Sequence, residues 1–310
     1  MRDQDSPVKV YSAGDLINLG EQFSHLVPAA RLAVLGDPIA QSASPPMQNT
    51  ALRERNIPIQ YVRIHVSSQE LPLAFKSLVK AGFIGANLTM PHKQAALPLL
   101  DQIDPKAMLM GGVNTVSVHE NRLVGFNTDG PGLESAIMEE FGLQLKDCNI
   151  LVLGGAGGAG RAITVQCFLK GAHPVIANRL KSKGDSLLTE ISNSKLGIKA
   201  DLSKSISMSD VELRHAVENS QIIINATPLG MREDDSSPLP DGILTKSHYI
   251  FDTVYAGRTT RLVRQAEYAG AHSANGLSML LHQGALSFEI WFGQPAPLEL
   301  MRKALLRFTT

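Results

Sequence analysis

The sequence predicts an α/β protein of two domains, and three observations carry that prediction. From Arg31 onward, short runs rich in Val, Ile and Leu alternate with amphipathic stretches; a second such series starts at Asn149; and residues 276–310 read as helix without strands of their own. Alternation of this kind is what parallel strands joined by crossover helices produce. The 310 residues suffice for two domains of roughly 100 to 200 residues each.

In chain order, residues 1–28 show no clear period beyond a short helix at Ala13–Leu19 and are read as an extension. Residues 29–128 form the first domain: a strand at Leu32–Leu35, a helix after Pro45, a strand at Tyr61–Val66, a helix after Gln69, and a strand at Ile84–Thr89. Val113–Val118 and Arg122–Phe126 flank the polar His119–Asn121, which reads as a hairpin or turn. Residues 129–275 form the second domain: a helix over Pro131–Phe141, a buried strand from Asn149, a helix to Lys170, and strands at His173–Ala177, Ile222–Asn225 and His248–Thr253. Leu277–Trp291 and Pro297–Phe308 are helices that need another surface to cover, and the pattern returns them to the first domain.

Composition excludes several classes. Lys plus Arg and Asp plus Glu both number 29, so no global field favours nucleic acid or an anionic membrane. The two cysteines, Cys148 and Cys167, do not suggest a disulfide framework, and the N-terminal text lacks the order of a signal peptide. A cytoplasmic protein is expected. None of the nine histidines falls in a metal-ligand spacing, so no metal is expected.

The segment Ile150 to Ala162 reads ILVLGGAGGAGRA. Gly155, Gly157 and Gly160 satisfy GxGxxG between an apolar run and helical text, where backbone N–H groups at a helix start face a pyrophosphate. Packing alone is the competing reason for such glycines. About 20 residues on, an acidic residue would hold a ribose hydroxyl; here the chain reads ANRLKSK, with Asn178, Arg179, Lys181 and Lys183 and no carboxylate at the tip. An arginine there suits a 2′-phosphate, so the reading is a Rossmann-type domain that prefers NADP.

Reduction of a ketone needs a positioned proton donor. GANLTMPHK (Gly85–Lys93) and NTDG (Asn127–Gly130) each end an apolar run, which places Lys93 and Asp129 at strand ends. The bland readings are a solvated lysine and a helix cap. GDPIAQSASP (Gly36–Pro45) sets Ser42 and Ser44 before a helix, where they receive a carboxylate or act as an ordinary cap. His92 and His282 read as structural residues.

In their order along the chain, GDPIAQSASP, GANLTMPHK, GGVNT, FNTDG, the glycine loop, ANR, NATPLGM, DTVYAGRTTRL and NGLSMLLHQGALSFEIWFG resemble the shikimate dehydrogenase family over about residues 31–306. The resemblance implies NADP-dependent reduction of 3-dehydroshikimate, with Lys93 as acid/base paired with Asp129. It implies that Ser42 and Ser44 bind the substrate carboxylate near Tyr255, and that Thr89, Asn114, Asp129 and Gln283 hold the ring hydroxyls. It implies that Gly155, Gly157, Gly158 and Ala159 face the pyrophosphate; that Asn178, Arg179 and Lys183 meet the adenosine phosphate; and that Thr227, Gly276 and Met279 lie along the cofactor. Gln41, Gln48, Leu180 and Gly257 depart from the family's usual residues. A quinate/shikimate dehydrogenase that also uses NAD, and a non-catalytic shikimate-sensing homologue, stay open as alternatives. The partners expected are small molecules, with the chain a monomer or homodimer.

Overall fold

The computed structural model describes residues 9–18, 21–198, 203–255 and 259–309. Gly257 and Leu19 lie outside the described residues. Two compact units emerge: the first comprises the chain through Met108, Gly112–Thr128 and the chain from Gly284 on, and the second comprises Leu109–Gly111 and Asp129–Gln283. The division falls inside a helix, Leu277–Phe292, rather than at residue 276.

The first unit holds a seven-stranded sheet: β1 (Val10–Ser12), β2 (Ala29–Gly36), β3 (Ile59–His65), β4 (Gly85–Leu88), β5 (Gln102–Ile103), β6 (Thr115–His119) and β7 (Arg122–Phe126), in the order β1-β3-β2-β4-β6-β7-β5. β1, β3, β2 and β4 run parallel, whereas β6 is antiparallel to both β4 and β7. β2 is central and buried on both faces from Leu32 to Leu35, which is why it reads as a continuous apolar run. The β6–β7 turn carries Glu120 and Asn121 at φ 50° and 63°, the paired left-handed residues of a two-residue hairpin.

The helix Leu71–Lys80 buries Leu71, Ala74, Phe75 and Leu78, the i, i+3, i+4, i+7 stripe of an amphipathic helix. The segment read as an extension is part of this unit's core. β1 pairs with β3, and Tyr11, Leu16 and Phe23 are buried, with Phe23 packed 4.9 Å from Tyr11 and 5.5 Å from Phe83 between ring centroids. Each such side chain contributes about 1.5–3 kcal/mol on burial. Within the same unit the helix Leu298–Thr309 packs on the helix Ser44–Glu54, and Trp291 Nε1 donates to the Val116 carbonyl at 3.0 Å.

The second unit is a six-stranded parallel sheet: β8 (Asn149–Leu153), β9 (His173–Ala177), β10 (Lys204–Ile206), β11 (Ile222–Asn225), β12 (Tyr249–Asp252) and β13 (His272–Ala274). Its order, β10-β9-β8-β11-β12-β13, is the doubly wound arrangement whose strand order reverses beside the first strand, where ligands bind beyond the carboxyl ends. Among the described residues no helix is long and apolar enough to cross a membrane.

Candidate active site

In the first unit the sheet topology brings the polar segments to one edge. β2 and β4 are parallel, so the loops after Gly36 and Leu88 leave the same side; Asn87 pairs with Thr115 and Thr115 with Phe126, so the residues before β6 and after β7 reach that side too. This edge therefore carries Ser42, Ser44, Thr89, Asn114 and Thr128. Gly36 has no Cβ to collide with the Thr89 methyl, which permits the close approach of these two loops. Ser44 is not the helix cap: Ala43 holds that position and Ser44 is the first helical residue, while Ser42 Oγ accepts from the Ser44 N–H at 3.3 Å. The Arg63 guanidinium donates Nε to the Ser42 carbonyl at 3.0 Å and Nη2 to the same oxygen, which fixes the backbone of the serine loop.

Beneath this edge lies a buried polar network that sequence reasoning missed. Asn87 Nδ2 donates to the Asn114 carbonyl (3.0 Å), Thr115 Oγ1 (3.1 Å) and Ser287 Oγ (3.0 Å), and its Oδ1 accepts from the Tyr61 hydroxyl at 2.8 Å. Asn114 Oδ1 accepts the Thr128 N–H at 2.8 Å, and its Nδ2 donates to Thr128 Oγ1 at 2.8 Å. A satisfied buried network holds its members in one geometry. Burial drives the Tyr61 phenol well above its ordinary value, with the Ser44 hydroxyl and the Arg63 charge opposing. The available signal was an Asn amid the apolar text of a strand; its partner Ser287 stands too far along the chain to be seen.

Lys93 is half-buried on the short helix His92–Ala95, and its carbonyl accepts the Val113 N–H at 2.8 Å. Gly112 packs against the Lys93 backbone, so the GGVNT segment seats the lysine's helix. The neighbouring His92 is fully buried with Nε2 2.7 Å from the Val66 carbonyl. Burial lowers its pKa, against the opposing Val66 bond, so it stays neutral and serves as a strut.

In the second unit the glycine loop follows β8. Gly154 sits at φ 74°, which favours glycine. A Cβ on Gly160 would collide with the Gly154 carbonyl, and one on Gly155 would meet Thr164 Oγ1 at 2.9 Å. These are packing reasons. Gly158 differs: it is the exposed first residue of the helix Gly158–Leu169, and a Cβ there would meet nothing within 4 Å. Gly157, also exposed, precedes it as the helix cap, and Ala159 follows half-buried. Packing within the fold therefore does not require glycine at 158.

At the tip after β9, Asn178 Nδ2 donates to the Leu180 carbonyl at 3.2 Å, and Arg179 and Leu180 are exposed. Lys181 is paired with Asp185 at 3.0 Å, which leaves Arg179 and the exposed Lys183 as the cations of this turn. The donor set at the tip contains no carboxylate to repel a 2′-phosphate, and with the open helix start it fits a phosphorylated dinucleotide.

Asp129 is 5% exposed and opens the helix Asp129–Phe141. Gly130 lets that helix approach Ala162 and Gln166, and Gly132 lets it approach Gln283, whose Nε2 donates to the Leu280 carbonyl at 2.8 Å. Tyr255 is 40% exposed, yet its phenol is raised above its ordinary value, by burial first and by the charge of Asp129 second, so it remains a hydrogen-bond donor at neutral pH. His282, adjacent to Gln283, lies 2.7 Å from Glu139 Oε2. Met279 is buried on the same helix, and the Gly276 N–H donates to the Val254 carbonyl at 3.2 Å.

At the carboxyl end of the sheet, Asn225 and Asp252 are register partners and fully buried. Asn225 Oδ1 accepts the Thr227 N–H (3.0 Å) and hydroxyl (2.7 Å), and its Nδ2 donates to Asp252 Oδ1 at 2.9 Å. Among the described residues no group of three or more His, Cys, Asp or Glu side chains is arranged to hold a metal ion.

A family model described as the shikimate dehydrogenase substrate binding domain matches residues 34–116, and one described as the shikimate 5′-dehydrogenase C-terminal domain matches residues 276–306. A protein of Symbiobacterium thermophilum named shikimate dehydrogenase (NADP(+)) is 38% identical over 282 residues, covering 90% of this chain and 94% of that one. A Methanopyrus kandleri protein of the same name is 36% identical, covering 89% and 94%. Among solved structures, shikimate 5-dehydrogenase from Thermus thermophilus in complex with NADP(H) and shikimate superposes with a TM-score of 0.79 at 37% identity, covering 90% of this chain and 99% of that one.

Proposed function

Because this chain belongs to the shikimate dehydrogenase family, we propose that it catalyses the reversible NADPH-dependent reduction of 3-dehydroshikimate to shikimate, the step that serves aromatic amino acid and chorismate biosynthesis. The observation that carries the reading is the gathering, on one edge of the first sheet, of paired serines, Thr89 and Asn114 over a buried polar network. Such an edge suits a small ring bearing a carboxylate and several hydroxyls.

Bound NADPH supplies the hydride that reduces the ring ketone. The residues divide the remaining work. Ser42 and Ser44 hold the substrate carboxylate at the start of their helix, with Tyr255 as a further donor, and Thr89, Asn114, Asp129 and Gln283 orient the ring hydroxyls. Lys93 gives a proton to the forming alkoxide; an ammonium is most effective there as negative charge develops on oxygen. Asp129 shares in the proton exchange. Gly155, Gly157, Gly158 and Ala159 present the helix start to the pyrophosphate, Arg179 and Lys183 with Asn178 meet the 2′-phosphate, and Thr227, Gly276 and Met279 line the rest of the cofactor site. NAD is the weaker cofactor, admitted because Leu180, 60% exposed, offers no hydrogen bond at the phosphate turn. A cytoplasmic location and a monomer or homodimer complete the proposal.

Lys93→Ala should lower turnover by about 10²- to 10⁴-fold, the usual worth of a general acid/base, and leave NADPH binding intact. Near-normal turnover in that variant removes Lys93 from the reaction.

A further inference from the structure

The loops that follow β11, β12 and β13 carry Thr227, Tyr255 and Gly276, and all three are tied to one side chain. Asp252 is the last residue of β12 and fully buried. Its Oδ1 accepts from Asn225 Nδ2 at 2.9 Å and from the Val254 N–H at 3.1 Å; its Oδ2 accepts from the Thr260 hydroxyl at 2.6 Å. Through Asn225 it reaches the β11 loop, because the same amide donates to the Leu229 carbonyl at 3.1 Å and accepts both bonds from Thr227. Val254 and Thr260 bracket the loop that carries Tyr255, and the Val254 carbonyl takes the Gly276 N–H.

We infer that Asp252 is a positioning residue, an anchor that sets the cofactor-side Thr227 and Gly276 and the substrate-side Tyr255 relative to one another within the second unit. The inference rests on the roles proposed above for those three residues. Asp252 itself meets only an amide, a backbone N–H and a hydroxyl among the described residues, so it acts through others and touches no reacting atom.

The hydrogen bonds at 252 suit a carboxylate best. Both of its oxygens accept, and the Thr260 hydroxyl is already committed as the acceptor for the Val263 N–H at the start of the helix Arg261–Tyr268, at 3.3 Å. An amide at 252 would turn its NH₂ either toward the Asn225 amide and the Val254 N–H or toward the Thr260 hydroxyl. The first orientation sets donor against donor; in the second the Thr260 hydroxyl, already accepting from Val263, must accept again and turn its own proton away, so the charge-assisted bond at Oδ2 is lost. Burying the carboxylate is unfavourable, and burial raises its pKa while the Thr260, Val254 and Asn225 bonds oppose; with both oxygens bonded it holds its partners in one geometry.

The test is a double-mutant cycle on the full chain with shikimate and NADP. Asp252→Asn should raise the KM for both substrates and lower kcat/KM by about tenfold, the worth of one or two buried hydrogen bonds, with a smaller change in kcat. Combined with Tyr255→Phe the losses should be non-additive, because the first substitution has already displaced the second group. Strictly multiplicative losses overturn the inference, since a merely structural aspartate weakens the fold independently of Tyr255. Should Asp252→Asn fail to fold, Thr260→Val and Thr260→Ser carry the test: the valine should reproduce the loss and the serine restore it, and a valine variant with wild-type kcat/KM overturns the inference. If the wild-type chain does not turn over shikimate, the proposed function fails, and the positioning role is read instead from NADPH affinity in an Asp252→Asn/Thr227→Ala cycle, where coupling supports it and independence refutes it.

Discussion

Two substitutions in the glycine loop, two positions apart, separate a packing role from a binding role. A methyl group placed on Gly160 lies 2.8 Å from the Gly154 carbonyl carbon and 3.0 Å from the Gly155 Cα. Both neighbours are backbone and cannot swing aside, so Gly160→Ala must shift the loop at a cost of about 1–3 kcal/mol and lower the melting temperature. Gly158→Ala meets nothing within 4 Å and stands at the first position of a helix, where alanine is favoured over glycine by up to about 1 kcal/mol. Its melting temperature should match or exceed that of the wild type. The same methyl group occupies the approach to the helix N–H groups, so NADPH affinity should fall by about tenfold or more, the usual loss when a charged hydrogen-bonding group is held off. The assay is thermal melting with and without NADPH, alongside fluorescence titration of the cofactor. At about 100 times its dissociation constant a ligand adds roughly 2.7 kcal/mol of stability, and at about 10 times roughly 1.4 kcal/mol, so the melting shift seen in the wild type should fall to about half or less in Gly158→Ala at the same cofactor concentration. A Gly158→Ala protein that binds NADPH as the wild type does refutes the pyrophosphate assignment.

Arg179→Ala should raise the dissociation constant for NADPH by about tenfold while leaving that for NADH nearly unchanged, since a charge-assisted pair to the 2′-phosphate is lost and NADH has none; equal losses for both cofactors would remove Arg179 from phosphate recognition. Cys167, fully buried with its thiol pushed up by burial to about 12, should resist aromatic disulfide reagents at pH 8 until the chain is unfolded, and labelling at the rate of a free thiol would contradict the packing described. His92 and His248 both have lowered pKa values, chiefly through burial, so the unfolded chain binds protons that the folded chain refuses. Stability should therefore hold above about pH 6.5 and decline as pH falls below it, and the His92→Gln/His248→Gln protein should show a shallower decline in melting temperature; an unchanged slope would place the acid sensitivity elsewhere.

Elements whose own residues determine them were legible in the sequence. β8 is bounded by a polar Asn149 and a glycine at φ 74° and is apolar between them, so its limits follow from local chemistry. β10 and β13 are three residues each, Lys204–Ile206 and His272–Ala274, with too little alternation to stand out; partners supplied by β9 and β12 make them strands. β1 was hidden for the same reason, and the importance of Phe23 depends on Tyr11 and Phe83, residues it meets only in three dimensions. The candidate site divides along the same line. Gly155, Gly157, Gly160 and Arg179 announce themselves through residue type and spacing, and Gly158 and the role of Lys93 through the ordered resemblance, whereas Asn87, Ser287, Asn225 and Asp252 act by pairing across 27 to 200 positions, which no window along the chain contains.

The most direct test of the account is steady-state turnover of shikimate and of quinate, each with NADP and with NAD, on the purified chain. The account predicts the highest kcat/KM for shikimate with NADP. Preference for quinate or NAD would contradict the assigned substrate or cofactor, and absence of turnover with every pair would contradict the assignment as an enzyme.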